Sequence, residues 1–244
     1  MPYIEDIERL RNRPPAIWSA MHNAYISDIE HLDGHLARLF DGLKQRGLYD
    51  NTLIVFVSDH GEEFFDHGGW WHGQTLYREV VQVPLAIKLP GGAGAGTVSR
   101  DLARLIDLPP TMLQFAGQPP APGMSGQPLV DALGNFTNAN ILWSYAENDF
   151  EDNILQAVRG RDNTIIRANE GNPRGTKPVE LYNRNADPAE RNNLAGVPEK
   201  AEAQQQMEKV LTDYESVIHE YAPEPGARVQ MDAATQEQLK AIGY

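Results

Sequence analysis

The chain has 244 residues, with 21 Lys and Arg against 34 Asp and Glu, a formal net charge of −13. That balance argues against a nucleic-acid or anionic-membrane partner, because phosphate contacts need clustered Lys and Arg, and no apolar run approaches the ~20 residues of a membrane span. There is no cysteine, which excludes disulfides, thiolate metal sites and a cysteine nucleophile within this sequence and leaves the compartment open.

Met1 to Pro15 carries neither a basic n-region nor an apolar h-region, so no signal peptide is read there. Tyr25, Ile29, Leu32, Leu36, Leu39 and Leu43 recur every three or four residues and predict one long helix over 17–46. Pro14 and Pro15 lie at its start and Gly47 at its end. Leu53 to Val57 is a continuous β-branched and aromatic run, the pattern of a strand buried on both faces. Val83 to Leu89 reads as a second strand of the same, largely parallel sheet, with helices on its faces in an α/β arrangement. Pro90 to Gly96 lacks the Lys-Ser/Thr ending of a phosphate loop and reads as a surface turn. Residues 100–116 suggest a short amphipathic helix, with Leu102, Leu105, Ile106, Leu113 and Phe115 mostly inward and a break at Pro109-Pro110. Gln118 to Pro128 is rich in Pro and Gly and suggests a boundary, dividing the chain into 1–124 and 125–244. Beyond it, 141–145, 155–158, 164–167 and 180–182 are strand candidates separated by turn signals, which suits a small antiparallel sheet. A polar helix over 198–221 is expected to cover that sheet.

Ser58-Asp-His-Gly-Glu62 follows directly on the first strand. In open α/β sheets ligand groups gather at the carboxyl ends of strands. Adjacent side chains diverge on a regular strand, but at a strand end with Gly61 behind them Asp59 and His60 can converge on one ion. A carboxylate oxygen with an imidazole nitrogen suits Zn, Mn or Mg, and less typically Ca. An Asp at a strand end is also a common turn or helix cap, so the motif alone leaves both readings open. His67 and His72 follow in a glycine-rich stretch. Histidine there can be a ligand, a proton donor or an anion contact; for His67 a loop residue capping backbone carbonyls is the favoured reading.

These residues resemble a family. Leu48-Tyr-Asp-Asn-Thr-Leu-Ile-Val-Phe-Val-Ser-Asp-His-Gly-Glu62, Asp66-His-Gly68, His72-Gly-Gln-Thr-Leu-Tyr77 and Val83-Pro-Leu85 look like the second half of a sulfatase of the alkaline-phosphatase superfamily. Leu105 to Leu113, and Glu180-Leu-Tyr182 with Asp187-Pro-Ala-Glu190 and Asn193-Leu194, extend the likeness into that family's C-terminal subdomain. The resemblance implies an alkaline-phosphatase-like sheet with flanking helices, present in part, followed by a small antiparallel sheet and a helix. It also implies one divalent cation, Ca before Mn, Mg or Zn, with Asp59 and His60 as two of its ligands. Twelve residues beyond His60, where sulfatases usually place a Lys on the sulfate and its leaving oxygen, stands His72. His72 therefore takes that catalytic and substrate-binding position, with a pH-dependent charge. Glu62 matches the pattern in a supporting role. Trp70 and Trp71 are open to two readings, stacking on a sugar or packing.

The family's N-terminal half carries an Asp-Asp metal pair and a Cys or Ser in a C/S-x-P-S-R motif, the source of the formylglycine nucleophile. Neither occurs here. The expectation is the C-terminal part of a sulfate-ester hydrolase, on a sugar sulfate or another ester, partnered by a missing N-terminal half and inactive alone. The alternatives are a phosphonate or phosphodiester hydrolase or a phosphoethanolamine transferase of the same superfamily, and a non-catalytic module that keeps the fold. The motif Asp187-Pro-Ala-Glu190 with Asn193-Leu194 favours the sulfatase.

Overall fold

The computed structural model describes residues 9–221, with backbone alone for 218–221. Helix α1 spans Pro15–Gln45. Pro15 sits in the first turn, where no amide bond is forfeited. Gly47 at φ 66° ends the helix, with its N–H donated to Lys44 and that of Leu48 to Leu43. None of α1 is buried, and Ile26, Ile29, Leu32 and Leu39 stand 41–56% exposed. Much of the stripe that predicted the helix is therefore left uncovered by the described residues. Near its start α1 meets a short hairpin, β2 (Glu63–Phe64) and β3 (Trp70–Trp71), through an aromatic seam. Trp18 lies 4.2 Å from Phe65 and 5.4 Å from Trp70, and Tyr25 lies 5.0 Å from Phe64, centroid to centroid.

Strand β1 (Ile54–Val57) pairs with β4 (Leu85–Lys88). The pair is antiparallel, with Val55 opposite Ile87 and Val57 opposite Leu85, which corrects the expected parallel arrangement. A parallel return needs a long crossover, usually a helix. Here the chain turns back through α2 (Arg78–Val81), a single turn whose carbonyls already bond the amides just past β1. Burial corrects a second expectation. Val55, Val57, Leu85 and Ile87 pack on Leu108, Leu129 and Ile141, but Phe56 on the opposite face is 38% exposed. Only one face is covered by the described residues. The strand end is tied from below, because Lys88 Nζ donates to the carbonyls of Tyr49, Asp50 and Thr52.

The helix expected over 100–116 is a 3-10 turn, Leu105–Asp107, running into α3, Leu108–Phe115. Its two prolines occupy the first turn of α3 and break nothing. Leu105 and Ile106 point outward, 45% and 51% exposed, while Asp107 and Thr111 are fully buried. Asp107 takes two hydrogen bonds from the Arg104 guanidinium (3.0 and 2.8 Å) and one from Gln127 N (3.0 Å); Thr111 Oγ1 accepts from Leu129 N at 2.9 Å. The polar positions of this segment thus hold the chain that leads to the second sheet.

That sheet is a four-stranded antiparallel meander, β5 (Ser144–Phe150), β6 (Asn153–Arg159), β7 (Asn163–Ala168) and β8 (Val179–Asn183). Period-two alternation gives it two apolar faces. Leu155, Ala157, Ile166, Ala168 and Tyr182 pack on Leu76 and Tyr77 beside the first sheet. Val158, Ile165 and Leu181, aligned across three strands, are fully buried on the other face. Helix α4 (Ala201–Tyr221) follows a 3-10 turn at Pro198–Lys200 and buries Met207 and Leu211. No helix among the described residues is long and apolar enough to cross a membrane.

Candidate active site

The loop leaving β1 is shaped by its backbone. Gly61 N donates to Val80 O at 2.7 Å and Glu62 N to Glu79 O at 3.1 Å, so the chain runs flat against α2. A Cβ on Gly61 would lie 2.0 Å from Glu79 O, a distance no side chain tolerates, so only glycine fits here. Ser58 Oγ donates to His60 O at 2.7 Å and closes the turn from the other side.

Within this loop Asp59 and His60 converge. His60 Nδ1 lies 2.8 Å from Gly61 O. A carbonyl only accepts, so Nδ1 carries a proton and Nε2 is the ring nitrogen left to face an ion. Nε2 is 3.9 Å from Asp59 Oδ1, with both side chains open to solvent. Desolvation raises the Asp59 pKa, but the His60 and Asp59 amides and the His60 and His72 rings together outweigh it and hold the carboxyl below its ordinary value. A carboxylate oxygen beside an imidazole nitrogen is the donor pair a divalent cation takes once that nitrogen is free of a proton. Among the described residues no third imidazole or carboxylate atom joins them within 4.8 Å.

The structure brings His72 to the same place. Its ring stacks on that of His60, centroids 4.0 Å apart and planes 28° apart. His72 Nδ1 donates to Glu62 Oε2 at 3.1 Å, and Trp71 Nε1 donates to His72 Nε2 at 3.2 Å. Glu62 therefore aims the ring, and its Oε1 is buried with no hydrogen-bond partner among the described residues. Of the two tryptophans, Trp70 is buried among Trp18, Phe64 and Phe65, while Trp71 is 52% exposed beside His72.

A second cluster was not legible from spacing. Glu63, His67 and Glu79 place side-chain atoms within 4.8 Å of one another. His67 Nδ1 lies 2.6 Å from Glu79 Oε1 and Nε2 lies 2.8 Å from the Glu190 carbonyl. Both nitrogens face acceptors, so both donate and neither offers a lone pair to a metal. Capping a carbonyl was the role expected of His67; the Glu79 ion pair is new. Burial alone lowers the His67 pKa, but the Glu79 carboxylate, the Glu190 carbonyl and the Glu63 charge outweigh it and raise it. Glu63 is buried and accepts from His67 N, Gly69 N and Thr75 Oγ1. Burial nonetheless raises its pKa. Glu190 adopts a left-handed backbone (φ 54°), held by His67 on its carbonyl and by Arg159 and Arg78 N on its carboxylate. No local pattern announces these partners, which lie as far apart as β6 and the segment after β8. The one signal was the Asp187-Pro-Ala-Glu190 run, which places a carboxylate after a proline turn.

The N-sulphoglucosamine sulphohydrolase C-terminal family matches residues 66–216, and the sulfatase family matches residues 3–118. An N-acetylglucosamine-6-O-sulfatase of Bacteroides thetaiotaomicron is 28% identical over 82% of this chain and 36% of its own length. Arylsulfatase K of Xenopus laevis is 28% identical over 81% of this chain and 38% of its own length. A protein solved in complex with its substrate D-glucosamine-2-N,6-O-disulfate superposes with a TM-score of 0.76 at 25% identity, covering 92% of this chain and 48% of that one. The phosphonate monoester hydrolase of Agrobacterium radiobacter superposes at 0.71 with 26% identity, over 82% of this chain and 42% of that one. The chain thus spans well under half the length of these curated relatives. On the strength of these matches and of an α/β fold with an antiparallel C-terminal sheet, the chain belongs to the sulfatase family.

Proposed function

We propose that this chain is the C-terminal portion of a metal-dependent sulfatase that hydrolyses sulfuric esters, with sugar sulfates as the substrate class. The observation that carries the reading is the convergence of Asp59, Nε2 of His60 and the ring of His72 at the carboxyl end of β1. Asp59 and His60 are two ligands of a divalent cation, Ca first by family, with Mn, Mg or Zn as alternatives. When bound, the cation supplies charge stabilisation to the sulfate oxygens. His72 stands where the family usually has Lys; its Nε2 accepts from Trp71 Nε1 in this structure, so donation to the ester's leaving oxygen or a sulfate oxygen, as negative charge develops there, requires Trp71 to swing away and Nε2 to take up a proton. Glu62 orients it through Nδ1. Trp71, exposed beside His72, offers a face to a sugar ring.

The nucleophile and the remaining ligands are assigned to the portion of the protein that the relatives carry beyond the matched span. By itself the chain is expected to hydrolyse aryl sulfates near background with Ca²⁺, Mn²⁺ or Zn²⁺ added. The full-length protein is expected to turn over aryl and glucosamine sulfates and to lose that activity in Asp59→Ala. Robust turnover by the 244-residue chain that is lost in Asp59→Ala would refute the division of labour. The likeness to a phosphonate monoester hydrolase supports a second reading, which is favoured if phosphonate monoesters outrun sulfate esters on the full-length protein. A full-length protein inert toward both would indicate a binding module.

A further inference from the structure

The cluster behind the proposed metal ligands holds more charge than packing requires. Glu79 and His67 meet at 2.6 Å with side chains only 19% and 10% exposed. The other charged groups around them are Glu63 from β2, the Glu190 carboxylate from the segment after β8, Arg78 and Arg159, which hold Glu190 through a backbone amide and a guanidinium, and Arg184, whose charge acts on Glu190. Asp66 and Arg191 lie 3.8 Å apart at the outer rim. Tyr77 stacks on the His67 ring at 3.7 Å and 12°, and its hydroxyl donates to Glu180 of β8 at 2.8 Å.

Two ends of this cluster reach different parts of the fold. Glu79 belongs to α2, whose carbonyls at Glu79 and Val80 receive the amides of Glu62 and Gly61, the residues immediately after Asp59 and His60. Glu190 belongs to the C-terminal sheet region through Arg159 of β6. His67 links them through side chains, beside Arg78 N of α2, which donates to the Glu190 carboxylate at 2.8 Å.

We propose that His67 is a positioning residue: an imidazolium held between the Glu79 carboxylate and the Glu190 carbonyl, it locks the loop carrying Asp59 and His60 onto the C-terminal sheet. A neutral ring cannot serve, because one nitrogen would then present a lone pair to an acceptor. The same geometry makes the Glu63, His67 and Glu79 group an ionic lock and not a second metal site. The proposal rests on the reading of Asp59 and His60 as ligands only for what the loop is for. The measurements below involve no metal at that loop, so failure of that reading and failure of this one give different results.

The test uses the 244-residue chain labelled with nitrogen-15. Long-range proton–nitrogen spectra at neutral pH in metal-free buffer are expected to show both His67 ring nitrogens protonated. A ring nitrogen that keeps its lone pair overturns the proposal. Amide exchange at Gly61 and Glu62 is expected to speed up about ten-fold or more in His67→Gln and in Glu79→Gln, with the β5–β8 amides changed less. In the unaltered chain, loop protection corrected for intrinsic exchange is expected to fall as pH rises through deprotonation of His67, and to be flat in His67→Gln. Unchanged protection in a folded His67→Gln overturns it. If that variant does not fold, the ring spectra and the pH profile of the unaltered chain decide.

Discussion

His60 and His72 lie ring on ring, 4.0 Å between centroids, although the β2–β3 hairpin separates them in the chain. The pairing of Glu63 with Trp71 sets the flanking residues Glu62 and His72 side by side, and the Glu62 carboxylate completes the alignment at 3.1 Å. A proposed metal ligand and a proposed anion contact are thus held face to face by a two-residue ladder.

That alignment separates two roles in the full-length protein. His72→Ala is expected to lower kcat about 10²-fold while metal content stays intact, since one donor to developing charge is typically worth ~3 kcal/mol. Asp59→Asn is expected to lose metal as well. His72→Lys is expected to retain more activity than Ala and to extend it to higher pH, because an ammonium stays protonated where an imidazole does not. Metal analysis alongside steady-state kinetics checks all three. If His72→Ala strips the metal as thoroughly as Asp59→Asn does, His72 is a ligand.

Gly61→Ala tests the backbone that carries the proposed ligands. Its Cβ would meet Glu79 O at 2.0 Å, so either α2 or the loop must move. A loss of about 1–3 kcal/mol in unfolding free energy is expected, the range for forcing an extra carbon into a filled site. Urea unfolding of the 244-residue chain measures it; a neutral substitution would mean that the loop does not lie flat on α2.

Glu190→Gln removes the carboxylate that faces Arg159, with side chains 2% and 10% exposed. Removing one partner of such a pair leaves the other buried without its counter-charge, at a cost of ~3 kcal/mol. The expected result is a lower denaturation midpoint with the slope preserved. Replacing exposed Arg161, which pairs with Asp101 at 2.7 Å with its side chain 73% exposed, is expected to change the midpoint little.

Stability should also depend on pH through His67. Its folded pKa is raised above the unfolded value of about 6.5, so the folded state binds the proton more tightly. The contribution is complete below the unfolded value and is lost as pH rises through the folded one. Glu63 is raised as well and acts with the same sign in its own, more acidic window above about 4.5. Unfolding free energies measured from mildly acidic to alkaline pH should therefore decline, and His67→Gln should flatten the decline around and above neutrality. A curve that rises over that range, or that His67→Gln leaves unchanged, would contradict the assigned charge.

The longer elements and their order were legible in the sequence because periodicity is local, whereas the β2–β3 hairpin and the single turn of α2 were not. The stripe Ile29, Leu32, Leu36, Leu39 specifies a helix, and the turns at Gly160 and Gly171 separate strands. The adjacency of Asp59 and His60 at a strand end was legible for the same reason. Strand direction was not. Leu53 to Val57 reads as a strand flanked on both faces by helices, and only the turn at Arg78–Val81, hydrogen-bonded to Gly61 and Glu62, shows that β4 returns antiparallel. Nor could spacing reveal that His67 reaches Glu190 across 123 positions, or that Glu63 is buried beneath Gly69 and Thr75. Such partnerships arise when distant segments are brought into one low-dielectric interior. There every donor must find an acceptor, and which acceptor it finds is settled by packing.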